Sequence, residues 1–549
     1  MAMGRFELTS GSSNGQGTDA TKLPSGGITN PVGGGRVTDM NSSFSEWRSM
    51  YYTFSTHYAY KGRYMADFSL RADGTTKFGP KRQWGYFPAV SLRWNIVDEP
   101  WMKWSEQWLS MLSIRPSWGR VGNQPSRDYL YESIYSSDSK YINMGAMKPE
   151  NIRLTDLRWE TTTTWDLGFD LGLLNDRLML QAELYHSTRR DMLMPDVSIP
   201  SSTGYYTLSY RNVGSMRNIG WELNLSTNRL IQKGKFFADV NFTFGNNKNE
   251  ILELDETVLN ALNSEFHYDN REVLQRVQLH NPFGAIYGFR HKGVYEYQYE
   301  TFVNMTPEER LNFVNEGHTA PYVLTETGEI VVDDQDKPVR MMYNYSHDGT
   351  GKNYEFQGGD VIYEDVNHDG QINALDIVYL GSSLPKLTGG FGMTLNYGRW
   401  KLNTQFNYRV GNKILNLARL DTEAMNTNNN QSKAVNWRWR KEGNHTDIPR
   451  AMYGSSTNYN SLVSDRYVED GSFLRLNYMQ LSYSFDPKVV KNVLGINRLS
   501  LYASANNLFV LTKYKGVDPE VGYGGYGAAI DDGQTPRAKS YTLGITVDF

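Results

Sequence analysis

The chain has 549 residues, 56 Lys and Arg against 60 Asp and Glu, a formal net charge of −4, and no cysteine. That balance offers no basic face for nucleic acid, and the missing thiols exclude disulfide scaffolds, zinc ribbons and thiol catalysis. No run of about 18 apolar residues occurs, so a spanning helix is excluded, whereas 50 Gly and 13% aromatics suit a transmembrane β-barrel, which hides its apolar band as every second residue.

Residues 1–43 contain nine Gly and little apolar matter. They read as an extracellular loop region. No signal-peptide h-region is present, so the start of an exported protein is expected to lie outside this sequence.

From residue 44 onward, alternation with period two dominates. Phe236, Ala238, Val240, Phe242 and Phe244 alternate with Phe237, Asp239, Asn241 and Thr243. Leu402, Thr404, Phe406, Tyr408 and Val410 alternate with Asn403, Gln405, Asn407 and Arg409. Thirteen such segments are predicted, near 45–59, 63–72, 86–97, 108–120, 159–173, 178–190, 213–230, 235–247, 387–397, 401–412, 472–485, 498–511 and 537–549. They divide the chain into barrel strands over 44–248, a large extracellular loop over 249–386 and C-terminal barrel strands over 387–549. The fold class is therefore all-β, a transmembrane antiparallel barrel with long extracellular loops.

Connections alternate between short and long, as periplasmic turns and extracellular loops do. The last strand follows a long loop and ends in the periplasm. Counting back through thirteen strands leaves residues 1–43 outside the cell. An odd count leaves an open edge in lipid, so the chain reads as about 13 C-terminal strands of a larger barrel. The alternative is that 283–298 supplies a fourteenth strand and the barrel closes alone. Asp67, Arg71, Asp239, Asn403, Gln405 and Arg409 are the candidate pore-facing residues, and their mixed signs select no charged substrate class.

Within the large loop, Asp365-Val366-Asn367-His368-Asp369-Gly370-Gln371-Ile372-Asn373-Ala374-Leu375-Asp376 fits a calcium loop of EF-hand or dockerin type. Oxygens from Asp365, Asn367, Asp369, Gln371 and Asp376 would surround a structural Ca²⁺, and Gly370 permits the sharp turn. The bland reading is a metal-free turn rich in Asp and Asn. Trp84, Trp94, Trp101, Trp104, Trp437 and Trp439 fall at strand ends and in loops, where an aromatic girdle is expected. Tyr129, Tyr131, Tyr205, Tyr206 and Tyr523 lie in loops and are candidates for contact with a ligand or a lid. Terminal Phe549 closes an alternating strand and is a candidate assembly signal.

Tyr60-Lys61-Gly62-Arg63-Tyr64, Ser69-Leu70-Arg71-Ala72-Asp73-Gly74 and Gly85-Tyr86-Phe87-Pro88-Ala89 stand early in the chain. Leu157-Arg158-Trp159-Glu160, Asn212-Val213-Gly214, Gly471-Ser472-Phe473-Leu474-Arg475-Leu476 and Tyr514-Lys515-Gly516-Val517-Asp518-Pro519-Glu520 follow. In sequence and order these stretches resemble the SusC/RagA-type TonB-dependent transporters of Gram-negative outer membranes. The resemblance implies a 22-stranded barrel of which the N-terminal half, with plug and TonB-binding segment, is missing here. It also implies outer-membrane import of glycans or oligopeptides, with a SusD-like surface lipoprotein and TonB as partners.

Two other functions are weighed against importer: a self-contained passive porin, and a soluble β-rich binding protein. The second of these is disfavoured, because so many alternating segments expose more apolar faces than one soluble core can cover. No enzyme is read. Gly11-Ser12-Ser13-Asn14-Gly15 lacks the strand–turn–helix of a nucleophile elbow. Gly522-Tyr523-Gly524-Gly525-Tyr526-Gly527 lacks a βαβ unit, and the 9 His show no zinc spacing.

Overall fold

The computed structural model describes all residues except 23–35, 142–143, 150, 200, 206, 257, 260–276, 318–319, 337, 340–343, 347–352, 369, 455–458 and 524–526. Two compact units emerge, Met1–Trp221 with Ile251–Val258, and Glu222–Glu250 with Leu259–Phe549. No helix among the described residues is long and apolar enough to cross a membrane, which says nothing of crossing by strands.

The first unit is an antiparallel sheet whose strands pair in chain order. They are β1 (Ala2–Thr21), β2 (Arg36–Tyr60), β3 (Tyr64–Thr75), β4 (Trp84–Asn95), β5 (Leu109–Asn123), β6 (Glu160–Leu173) and β7 (Leu178–Arg190). β8 (Gly214–Thr227) follows. The second unit repeats the pattern with β9 (Phe236–Leu254), β10 (Leu387–Tyr397), β11 (Trp400–Val410), β12 (Phe473–Ser484), β13 (Arg498–Thr512) and β14 (Ser540–Asp548). The turn between β2 and β3 is tight because Lys61 (φ 53) and Gly62 (φ 69) are both left-handed, the conformation that matches strand twist.

Register gives each sheet two unlike faces. On one face of the first unit, Phe54 pairs with Leu70, Phe68 with Val90, Trp118 with Trp165, and Leu167 with Leu184. The opposite face carries Asp67, Arg71, Ser91, Arg115 and Asp170. In the second unit the rings of Phe242, Phe391 and Phe406 stack across three strands at 5.8 and 4.5 Å. The apolar faces are open, with Phe54 48% and Trp165 61% exposed. An apolar surface this continuous needs a non-aqueous neighbour.

Two expectations are corrected. Residues 1–43 are not a loop throughout. Ala2–Thr21 pairs with Arg36–Thr56 of β2 over its whole length. Its composition hides the strand: Gly11 lies under the indole of Trp47, where a β-carbon would sit 2.6 Å from Nε1 and the indole would have to move. The described residues therefore contain fourteen long strands rather than thirteen, and the argument from an odd count falls. Nor do residues 283–298 form a wall strand. Ala285–Gly288 pairs with Val378–Ser382, and His291–Val294 with Val361–Tyr363, as short ribbons.

Those ribbons belong to a folded body built from the long connections of the second unit. Its cores are Tyr287, Phe289, Phe356, Tyr363, Ile372 and Tyr459 in one cluster, and Leu415, Leu420, Val463 and Tyr467 in another. The region 249–386 thus holds the end of β9, helices Tyr299–Asn304 and Pro307–Asn315, and several short strands.

Candidate functional site: the polar face and the loop body

Charged side chains on the polar face of the first unit are paired with one another. Arg115 donates to Asp170 at 2.8 and 3.1 Å and to Glu183 at 3.3 Å, while Ser113 donates to Asp170 at 2.8 Å. Arg93 lies 3.6 Å from the same Asp170 carboxylate. His57 meets Asp67 at 2.7 Å beside a cavity of about 580 Å³ lined also by Ser55, Ser91, Ser117 and Thr164. Met3, Phe68, Val90 and Trp118 also line the cavity, while the side chains paired across this face are polar, hydrogen-bonding and of mixed sign. The face suits a water-filled passage rather than a site for one small ion.

The pore-facing candidates of both units lie on the polar faces. Asp67 and Arg71 alternate along β3. In the second unit Asp239 pairs with Thr394, which pairs in turn with Asn403. Arg409 reaches the loops: its guanidinium donates to the Tyr523 hydroxyl at 3.3 Å and lies 6.0 Å from that ring. Two residues singled out separately thus meet. Tyr129 instead accepts from the backbone N–H of Glu46 at 2.8 Å, and Tyr206 lies outside the described residues. Trp439 is no girdle residue. It is buried in the loop body and donates to the Glu296 carbonyl at 3.1 Å.

Buried ion pairs hold the loop body, and sequence reading missed them all. Fully buried Asp360 accepts from Arg450 Nε at 2.7 Å, Asn460 at 3.0 Å, the Tyr354 hydroxyl at 2.6 Å and the Gln357 N–H at 2.8 Å. Burial, then the adjacent Asp360 carboxylate, push the Tyr354 hydroxyl pKa up, so it stays a donor. Glu423 accepts from Arg419 at 2.9 Å and Arg466 at 2.8 Å. Arg475 joins Asp518 at 2.5 Å and Glu520 at 2.6 Å. A buried carboxylate is tolerated only when paired in this way. The partners lie 43–90 residues apart in the chain for these pairs with Arg450, Arg466 and Arg475, so no local motif announces them.

The candidate calcium loop is placed in part. Asp376 is fully buried, and its two oxygens accept from the N–H groups of Val366 and Asn373, each at 2.8 Å. Asp365 Oδ2 accepts from Gly370 N–H at 2.8 Å, while its Oδ1 is buried without a hydrogen-bond partner. Asp369 lies outside the described residues. Asn367 and Gln371 are exposed on the same loop. Among the described residues no three His, Asp or Glu side chains gather as a ready metal group. Phe549 is exposed, and its carbonyl accepts from Asn497 at 2.6 Å.

Comparison with known proteins decides the family. Residues 3–508 match the family described as TonB dependent receptor-like, beta-barrel. The chain belongs to the TonB-dependent receptors. It is 30% identical over 506 residues to TonB-dependent receptor P39 of Formosa agariphila, covering 90% of this chain and 45% of that protein. It is 27% identical over 510 residues to TonB-dependent receptor SusC of Bacteroides thetaiotaomicron, covering 90% of this chain and 43% of that one. The receptor chain thus spans about half the length of these relatives. Its fold matches a chain in the structure of the RagAB peptide transporter, with a TM-score of 0.74 at 21% identity, over 100% of this chain and 53% of that one. The resemblance to SusC/RagA-type receptors is borne out, and with it a β-barrel of the Gram-negative outer membrane. The open apolar faces are accordingly its lipid-facing surface.

Proposed function

We propose that this receptor chain forms wall and extracellular loop body of an importer for glycans or oligopeptides, energised through TonB and working with a SusD-type surface lipoprotein. The observation that carries the reading is similarity along nearly the whole chain to a SusC receptor, joined to a fold shared with a peptide transporter. The paired, mixed-sign polar face supports a hydrated passage for uncharged or zwitterionic cargo. In this reading the fourteen strands are part of a 22-stranded barrel, and the chain performs no catalysis. Mild-detergent purification of the full-length receptor from its native outer membrane tests the partnership. A surface lipoprotein co-eluting in fixed ratio is expected, and its consistent absence contradicts the reading.

The same proposal keeps a structural Ca²⁺ in the loop 365–376. Buried, unpartnered Asp365 Oδ1 favours it, because such an oxygen is costly unless something pairs with it. Asp365, Asn367, Asp369, Asp376 and the Gln371 carbonyl would hold the ion. Each Asp376 oxygen keeps a second lone pair beyond its backbone bond. The cation would supply charge neutralisation and stiffness, with no part in transport chemistry.

A further inference from the structure

The connection between β12 and β13 contains a helix, Pro487–Leu494. Asp486 caps its start by accepting from Lys488 N–H at 3.0 Å, and left-handed Gly495 (φ 70) ends it. At 3.6 residues per turn, Val489, Val490, Val493 and Leu494 fall on one arc and Lys488, Lys491 and Asn492 on the other. Val490 is buried, but Val489 is 58%, Val493 73% and Leu494 57% exposed. Thus three of the four apolar residues of this amphipathic helix have no cover among the described residues.

We propose that this helix is a membrane foot, lying in the headgroup boundary of the phospholipid leaflet with Val489, Val493 and Leu494 among the acyl chains. Continuity with the lipid-facing surface identifies the occupant. An Arg399–Asp486 ion pair ties the helix start to the turn before β11. There Trp400 packs on Tyr483 with ring centroids 4.8 Å apart, and Tyr483 on Phe485 at 5.1 Å. Trp400, Tyr397 and, further along the face, Leu481 and Leu501 are exposed. Aromatic residues of this kind mark the level of the headgroups, so the helix begins where the apolar band ends. Lys488 and Lys491, on the opposite arc, match the anionic phosphates of that layer.

The first unit carries an independent instance in the connection between β4 and β5. There Pro100–Ser105 buries Met102 while Trp101 and Trp104 stay exposed beside Lys103.

Because this chain has no cysteine, single labels can be placed in the full-length receptor once any other cysteines are replaced. Val493→Cys, Val489→Cys and Asn492→Cys variants would carry a nitroxide in phosphatidylethanolamine–phosphatidylglycerol vesicles. Heat-modifiable gel migration verifies each fold. The two valine positions are expected to collide preferentially with oxygen and Asn492→Cys with a water-soluble nickel chelate, an inversion within one turn. Nickel preference at all three positions would mean a water-facing helix and overturn the proposal. Shielding of the valine positions from both reagents would mean a protein partner, and overturns it equally.

Discussion

Arg450 donates through Nε to Asp360 at 2.7 Å, and Asp360 has no solvent exposure at all. Removing the cation leaves a buried carboxylate with only neutral donors. Arg450→Met is therefore expected to destabilise the loop body by about 3–5 kcal/mol. Asp360→Asn keeps the shape and should cost less, and the double variant should recover part of the loss. Protease resistance of the loops in outer-membrane vesicles would measure this. Equal resistance of wild type and Arg450→Met contradicts it.

Trp47 over Gly11 makes a second prediction. A β-carbon at Gly11 would displace the indole, so Gly11→Val should cost about 1–3 kcal/mol, the usual range for overpacking. Pairing itself is testable by chemistry. Ser13 faces Ser45 across β1 and β2, and a Ser13→Cys/Ser45→Cys pair should be joined by a short bismaleimide linker. Failure to cross-link, with folding intact by gel migration, would restore the loop reading.

Two histidines in the loop body respond to pH in opposite directions. Burial, then the Arg466 charge, lower the His291 pKa to about 4, against the opposing pull of Asp465 and Asp447. The unfolded chain takes up this proton near pH 6.5 and the folded chain does not. Stability therefore falls as pH drops from about 6.5 to about 4, by about 3 kcal/mol in all. His291→Gln should flatten that slope in thermal unfolding. His445 is held up by its hydrogen bond to Glu296. Its contribution is present below pH 6.5 and is lost as pH rises through the raised value. His445→Gln should remove only that second dependence.

Calcium is a fourth variable. Excess chelator should lower the unfolding temperature of the full-length receptor, and Asp365→Asn should abolish the difference between chelated and Ca²⁺-loaded protein. Identical melting with and without Ca²⁺ would leave the 365–376 loop as a metal-free turn, its Asp376 serving the backbone alone.

Legibility in the sequence followed the physics of each element. Alternation marks a strand only when one face meets lipid, so β3 or β11 could be read directly from residues such as Phe68 and Leu70 or Phe406 and Tyr408. β1 could not. After Leu8 it is mostly Gly, Ser, Asn and Thr, and its hydrogen-bond ladder is indifferent to side chains. Asp365 and Asp376 announced themselves by spacing, because a turn is local. Asp360 and Arg450 did not, because 90 residues separate them and only the fold brings them together.

Energised import through this wall is open to direct measurement. The direct measurement is uptake of labelled oligopeptides and oligosaccharides by cells carrying the full-length receptor, with and without a protonophore, against a deletion strain. Receptor-dependent uptake of one of these classes is expected, collapsing when the proton-motive force is removed. Receptor-dependent uptake at an unchanged rate under protonophore would contradict it, and would leave the passive porin as the better description.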